Sequence, residues 1–162
     1  MSDPARDALP AADTAGERLQ AMLGRVPYAR FLGIRAELAG DEMTAILPFA
    51  PHLIGNPSLP AIHGGVLGAF MELTALAQLT IAQGLGAQEV EHGAGERLAR
   101  QPKPIDVTVE YLRSGRPVDT FARAQITRMG RRIANVRVEA WQSTRAAPIA
   151  ALHGHFLLTL AD

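Results

Sequence analysis

Residues 60–84 form the longest apolar stretch of the chain, with hydrophobic side chains at spacings of three and four. That spacing is the period of a helix face. The opposite side is also largely apolar, so the predicted helix must be surrounded by other groups. Glu72 lies near the middle of the stretch, and a charge there is expensive in a bilayer. The pattern therefore predicts a buried central helix and no membrane contact.

Strict alternation of apolar and polar residues follows the helix and predicts strands. Two segments before the helix have the same character and are joined by a turn at Ala39-Gly40-Asp41. The predicted strands are residues 31–38, 43–49, 105–112, 120–129, 133–141 and 148–160. The inward positions of 120–129 and 133–141 are mostly small, which suits a sheet that wraps tightly around a helix. Short hairpin links favour antiparallel pairing. The predicted fold class is α+β, with a curved antiparallel sheet of about six strands wrapped around one long central helix.

The remaining segments indicate one domain. A length of 162 residues is typical of a single domain with a real core. Residues 1–15 are rich in Ala, Asp and Pro and are expected to be disordered, so the domain is placed at 16–162. Around its start, the pattern of residues 14–25 predicts a short amphipathic helix with Thr14 and Glu17 as a capping box. Residues 85–104 are expected to be a lid or a disordered insert.

Composition narrows the possible chemistry. The chain has no cysteine, which excludes disulfides, thiolate metal sites and a cysteine nucleophile, and fits a cytoplasmic location. Net charge is zero, but residues 1–96 hold five basic and eleven acidic side chains, whereas 97–145 hold eleven basic and four acidic. The basic part is either a solvated sheet face or a patch for a phosphate-bearing ligand. A nucleic-acid partner is not expected, because no aromatic interleaving accompanies the arginines.

His63-Gly64-Gly65 forms the entrance of the predicted central helix. Two glycines let a ligand come close and leave the first amide N–H groups pointing outward, which suits an anion or a polarised carbonyl oxygen. Three simpler interpretations stay open. The glycines are a tight turn, Glu72 meets an arginine or a water, or His63 is only an N-terminal polar contact.

Gly65 and Glu72 are seven residues apart and so lie on one helix face, about 10 Å apart along the axis. A single carbonyl group cannot touch both, since a reacting centre must lie roughly 3 Å from each group. Either only one of the two groups acts, or the second comes from another copy of the helix, since two antiparallel helices that meet across a two-fold axis would bring Glu72 of one beside Gly65 of the other. The spacing predicts a homodimer with shared active sites.

Two segments carry a family resemblance: HGGVLGAFMELTALAQ and IDVTVEYLRSGRPVDTFARAQITRMGRRIANVRVEAWQ. They resemble the hotdog-fold acyl-CoA thioesterases of the phenylacetate-degradation (PaaI-like) type, over roughly residues 27–160. The distinctive combination is an acidic residue nine positions after the histidine, the YLR-x-G strand end and the G-R-R turn.

The resemblance implies roles for individual residues. Glu72 matches the catalytic carboxylate, which activates water or attacks the thioester. Gly65 matches the glycine whose N–H polarises the thioester carbonyl, and His63 matches the histidine that arranges this end of the site. The polar residue that precedes the histidine is matched by Asn56, with Ser58 as the alternative because the spacing differs by one.

The resemblance also places coenzyme A. The positions matched to the region that meets its phosphates and pantetheine are Arg113, Ser114, Gly115, Arg131 and Arg132. Coenzyme A is part of the substrate, so no separate cofactor is expected, and the assembly implied is a homodimer that pairs into a dimer of dimers. No metal is expected either, because His153 and His155, the one pair with a ligand-like spacing, are interpreted as exposed polar positions.

Three functions remain as hypotheses. The first is hydrolysis of an acyl-CoA thioester, indicated by His63, Gly65 and Glu72 together. The second is a non-catalytic acyl-CoA binder or sensor on the same fold, which would not need Glu72. The third, a hotdog dehydratase or hydratase, resembles motifs with acidic and histidine residues in other positions, which this chain lacks.

Overall fold

The structure is a computed structural model in which residues 15–84 and 101–158 are described. The helices are α1 Ala15–Arg25, α2 Pro27–Leu32 and α3 Gly64–Ala82, with a 3-10 helix at Pro51–Leu53. The strands are β1 Arg35–Ala39, β2 Glu42–Leu47, β3 Ile54–Asn56, β4 Ala61–Ile62, β5 Lys103–Tyr111, β6 Thr120–Met129, β7 Ile133–Trp141 and β8 Ala150–Leu157. Six strands form one antiparallel sheet in the order β1-β2-β6-β7-β8-β5, and β3 pairs with β4 in a separate hairpin.

Helix α3 packs against the sheet through five of its strands, β2, β5, β6, β7 and β8. The sheet side of this contact is made of small buried residues, as the sequence predicted: Ala122, Ala134, Val136, Val138 and Ala140. The helix contributes larger buried side chains, among them Phe70, Met71 and Leu79. Small residues on the sheet let the helix approach closely while its bulky side chains fill the space. The predicted α+β fold with a central helix is confirmed.

The composition of α3 is explained by this packing. By length and apolar content alone, Gly64–Ala82 is suitable for a membrane span. In the fold, the sheet covers one side of the helix, and the side that carries Gly65, Ala69, Glu72 and Leu76 is less buried. A helix that is apolar all round yet covered on one side only has a second apolar surface available to another partner.

The prediction of a strand at residues 31–38 is wrong in its first part. Pro27 occupies the first turn of a second helix, where its missing N–H and fixed φ are favourable. That helix ends at Gly33, whose φ of 69° is in the left-handed region that glycine adopts without strain. Strand β1 therefore starts only at Arg35. The apolar Phe31 and Leu32 belong to a helix turn and not to a strand.

Other bounds also differ from the predictions. Residues 50–61, predicted as a loop, contain the 3-10 helix and the β3–β4 hairpin. Strand β8 is shorter than residues 148–160. Residues 1–14 with the Thr14 cap, residues 85–100 of the expected lid or insert, and the chain end from 159 lie outside the described residues.

Strand β5 is an edge of the sheet and pairs with β8 alone. Its ladder shifts register between Pro104 and Asp106. Apolar side chains on it remain exposed, with 54% of Ile105 and 58% of Tyr111 accessible. An edge strand with exposed apolar residues is a surface suited to pairing with another strand.

Candidate active site

His63 caps the start of α3. Its backbone is extended (φ −60°, ψ 132°), and its Nδ1 accepts the N–H of Gly65 at 2.9 Å. Its carbonyl oxygen accepts the N–H groups of Val66 (3.0 Å) and Leu67 (3.2 Å). In the part of the chain that the structure describes, the N–H of Gly64 has no acceptor. The Gly65 amide, expected to face a substrate, is thus engaged by His63, and the adjacent Gly64 amide is open.

Tyr111 is a site residue that the sequence analysis missed. It is the last residue of β5, and its hydroxyl donates a hydrogen bond of 2.9 Å to the carbonyl oxygen of Gly64. A Cβ added to Gly64 would lie 3.0 Å from the Cζ of the tyrosine ring. Its sequence signals were its place at the end of an alternating strand and at the start of the YLR-x-G sequence, and neither indicates a contact with the helix.

The β3–β4 hairpin supports His63 from the other side. The N–H of His63 donates to the carbonyl oxygen of Leu53 (2.8 Å), and Gly55 lies directly against the histidine. Asn56 follows Gly55, and its Oδ1 accepts the backbone N–H groups of Ser58 (3.0 Å) and Leu59 (3.3 Å). The side-chain oxygen of Asn56 therefore shapes the loop in the manner of an Asx-turn, which leaves the amide nitrogen available as a donor. Ser58 contributes its backbone to the same turn.

Glu72 lies two turns into α3 on the face that begins at Gly65. Its side chain is half-buried, and burial raises the pKa of this carboxyl above its ordinary value. None of the ion pairs among the described residues includes it. An unpaired, partly desolvated carboxylate has the character of a general base or a nucleophile.

The loop after β5 is next to the helix entrance. The N–H of Ile62, the residue before His63, donates to the carbonyl oxygen of Gly115 at 2.9 Å. Arg113 is anchored in the same loop by a 2.6 Å bond from Nη1 to the Pro148 carbonyl. The fold therefore brings residues 113–115 to the candidate site, with exposed Ser114 between them.

Arg131 and Arg132 lie at the opposite end of the sheet in the same chain. The register aligns Lys103 with Leu157 and Leu157 with Ile133, so the β6–β7 turn is level with the start of β5. Tyr111 lies at the other end of β5. Strand β7 spans nine residues, which corresponds to about 26 Å. A single chain does not bring these arginines to the residues at 113–115.

His153 and His155 project from the exposed face of β8, as predicted. His155 Nδ1 lies 2.8 Å from Asp106 Oδ1, and His153 Nε2 lies 3.7 Å from Glu110 Oε2. Neither pair is part of a larger ligand cluster, since no group of three potential metal ligands occurs among residues 15–84 and 101–158.

The thioesterase superfamily model matches residues 59–149, more than half of the chain. That range includes the helix entrance, Glu72 and strands β5 to β7. The chain belongs to the thioesterase superfamily. It is a thioester hydrolase, and the six-stranded antiparallel sheet around a central helix is its hotdog fold.

Individual proteins resemble this superfamily member along most of its length. The medium/long-chain acyl-CoA thioesterase YigI of Escherichia coli K12 is 32% identical over 118 residues, 70% of this chain and 74% of YigI. A crystal structure of a Chromobacterium violaceum protein has a TM-score of 0.63 at 34% identity, covering 87% of this chain and 89% of that one. The E. coli PaaI protein from the phenylacetic acid degradation operon has a TM-score of 0.67 at 14% identity, covering 90% and 96%. The likeness to PaaI confirms the fold expected from the sequence.

Proposed function

We propose that this thioester hydrolase cleaves an acyl-CoA to the free acid and coenzyme A, with Glu72 as base or nucleophile. The observation that carries the proposal is the half-buried Glu72 carboxylate, whose pKa is raised by burial, on the helix face that begins at the glycine amides. The substrate class is supported by YigI, which is named a medium/long-chain acyl-CoA thioesterase.

Glu72 acts on the thioester in one of two ways. As a base, it removes a proton from a water molecule whose oxygen attacks the thioester carbonyl carbon. As a nucleophile, its own oxygen attacks that carbon and water later cleaves the resulting anhydride. In both cases the C–S bond breaks, and the sulfur of coenzyme A leaves and takes up a proton. General-base assistance of this kind contributes roughly 10²–10⁴-fold to the rate.

Amides in the first turn of α3 stabilise the oxyanion that develops on the carbonyl oxygen. The Gly65 N–H takes this role when the substrate oxygen replaces His63 Nδ1 as its acceptor, and the open Gly64 N–H is adjacent to it. One such donor is typically worth about 3–4 kcal/mol of transition-state stabilisation. Asn56, which follows the His63-contacting Gly55 in the β3–β4 hairpin, offers its side-chain nitrogen as a further donor, with Ser58 as the alternative.

The active sites are shared between two copies of the chain. Gly65 and Glu72 are about 10 Å apart along one helix, so one carbonyl group contacts Gly65 of one subunit and Glu72 of the partner subunit. Edge strand β5 supports this arrangement, because it is unpaired on one side and exposes Ile105. Gly68 of α3 lies beside Val109 of β5, since a Cβ added to this glycine would be 3.8 Å from the valine Cγ2. Antiparallel pairing of two β5 strands therefore brings two α3 helices alongside each other.

The same two-fold arrangement unites the arginines expected to bind coenzyme A. When two β5 strands pair antiparallel, the start of one lies opposite the end of the other. The β6–β7 turn with Arg131 and Arg132, level with the start of β5, then faces the partner's residues 113–115 across two intervening strands, β8 and β5, a distance of about 14 Å across the sheet. Arginine suits the phosphates of coenzyme A through bidentate hydrogen bonds. Pairing of two such dimers into a tetramer is part of the proposal.

The test is release of coenzyme A from a panel of aryl-, medium-chain and long-chain acyl-CoAs, followed with a thiol-reactive dye. Wild type is compared with Glu72→Gln and with Glu37→Gln, a matched change at an exposed position on β1. We expect turnover in wild type and Glu37→Gln and a loss of 10²-fold or more in Glu72→Gln. Binding of acyl-CoA without turnover by wild type on every member would contradict the proposal and favour an acyl-CoA binding protein.

A further inference from the structure

We propose that Tyr111 is a positioning residue for catalysis, because it holds the peptide group between Gly64 and Gly65 at the start of α3. The inference rests on the proposed function, in which the first-turn amides bind the oxyanion. The hydroxyl of Tyr111 contacts the carbonyl oxygen of Gly64, so the tyrosine acts through the backbone of the helix entrance.

The carbonyl of Gly64 and the N–H of Gly65 belong to one planar peptide group. The Tyr111 hydroxyl donates to the carbonyl end at 2.9 Å, and His63 Nδ1 accepts from the N–H end at 2.9 Å. The two side chains therefore fix the orientation of this peptide plane from opposite ends. The contact with Tyr111 joins the end of β5 to the start of α3, which are separated by 47 residues.

Glycines in α3 make room for the tyrosine ring. A Cβ on Gly64 would lie 3.0 to 3.2 Å from three atoms of the Tyr111 side chain, tighter than nearly all real contacts. A Cβ on Gly68, one turn later, would lie 3.9 Å from the hydroxyl oxygen. The first glycine of the His-Gly-Gly sequence therefore favours the close approach of Tyr111, because a side chain there would displace the ring by a few tenths of an ångström.

The bond from Tyr111 also improves the Gly65 N–H as a donor. A hydrogen bond to a peptide carbonyl draws electron density toward its oxygen and strengthens the N–H of the same group as a donor. An oxyanion site depends on donors that are already oriented before the reaction, so a fixed peptide plane lowers the barrier without tightening substrate binding. The role predicts an effect on kcat and not on KM.

The kinetic test compares Tyr111→Phe with Tyr28→Phe. These are the only two tyrosines of the chain, and Tyr28 stacks on Phe31, whereas the Tyr111 ring packs on Gly64. Phenylalanine keeps the ring that packs on Gly64 and removes only the hydroxyl. We expect kcat of Tyr111→Phe to fall about tenfold, because the variant loses one hydrogen bond, while its KM stays within about twofold of wild type. Both kcat and KM of Tyr28→Phe should be unchanged.

A spectroscopic test on the full-length, 15N-labelled protein separates this inference from the proposed function. Loss of the bond to the Gly64 carbonyl should shift the amide nitrogen signal of Gly65 in Tyr111→Phe and leave it in place in Tyr28→Phe. Thermal unfolding of both variants is measured alongside to establish that they are folded. An unmoved Gly65 signal, or a moved signal with kcat unchanged, would overturn the role of Tyr111. If wild type releases no coenzyme A at all, the proposed function fails, and the Gly65 signal alone still decides whether Tyr111 holds the peptide group.

Discussion

Gly55 lies so close to His63 that a Cβ on the glycine would be 2.7 Å from the histidine Cα. This close packing of the β3–β4 hairpin on the helix entrance holds the histidine whose Nδ1 accepts the Gly65 N–H. The candidate site is therefore built on backbone contacts that leave no space for a side chain.

Replacing Gly55 by alanine is expected to disturb the site and the fold together. The added Cβ would push on the backbone of His63, which cannot move away as a flexible side chain would. We expect a loss of about 1–3 kcal/mol in the free energy of unfolding, together with lower kcat, measured by urea denaturation and coenzyme A release. Gly24→Ala is the control: nothing lies within 4 Å of its Cβ, so unchanged or slightly raised stability is expected in helix α1. Equal behaviour of the two variants would argue against the packing role of Gly55.

The raised pKa of Glu72 predicts opposite pH dependences of activity and stability. Activity requires the carboxylate, so kcat/KM should rise with pH through a pKa above the ordinary value of a glutamate. The folded protein binds this proton more tightly than the unfolded chain does. Its contribution to the free energy of unfolding is therefore fully present below the ordinary pKa, near 4.3, and is lost as pH rises through the higher pKa of the folded state.

Glu72→Gln should remove the contribution of this group to both dependences. At neutral pH the variant should be at least as stable as wild type in thermal unfolding, because no charge is then partly buried at this position. Its coenzyme A release should be lower by about 10²–10⁴-fold. A variant that is both inactive and clearly less stable at neutral pH would indicate a structural role for the carboxylate instead.

Shared active sites predict recovery of activity when two inactive variants are mixed. Glu72→Ala removes the carboxylate, and Gly65→Pro removes the amide donor in the first helical turn, where the backbone admits proline and the new side chain would displace the His63 ring, whose Nδ1 would lie 3.0 Å from its Cβ. Each variant alone should be nearly inactive. A dimer with one chain of each kind has one intact site and one site with both defects. Random pairing makes about half of the dimers mixed, so co-expression should restore about a quarter of wild-type activity. Absence of recovery, with mixed dimers demonstrated by mass spectrometry, would place both groups of a site in one chain.

The edge strand β5 is expected to form the dimer interface. Ile105→Lys places a charge on its exposed apolar surface, and sedimentation should detect monomers together with a loss of activity. Ile133→Lys is the matched control, because Ile133 is similarly exposed (45% against 54%) but lies on a strand that is paired on both sides. If both variants sediment as wild type does, the interface lies elsewhere.

Local pattern was enough to predict the elements that dominate the fold. Strands β6 and β7 match the predicted residues 120–129 and 133–141 at both ends, and α3 lies within residues 60–84. Periodicity is a property of consecutive residues, and the apolar face it creates must be buried against something. The start of β1 was missed because Pro27 and Gly33 organise a short helix, and these local signals outweigh the apolar character of Phe31.

The amino-acid sequence by itself determined a central helix with Glu72 at its middle, a glycine pair at its entrance and an antiparallel sheet around it. Only the tertiary structure decided that His63 engages the Gly65 amide, that Tyr111 holds the Gly64 carbonyl, and that Arg131 lies at the far end of the sheet from Arg113. The physical reason is that these relationships depend on strand register and side-chain packing between segments far apart in the chain. Such contacts leave no periodic trace among neighbouring residues.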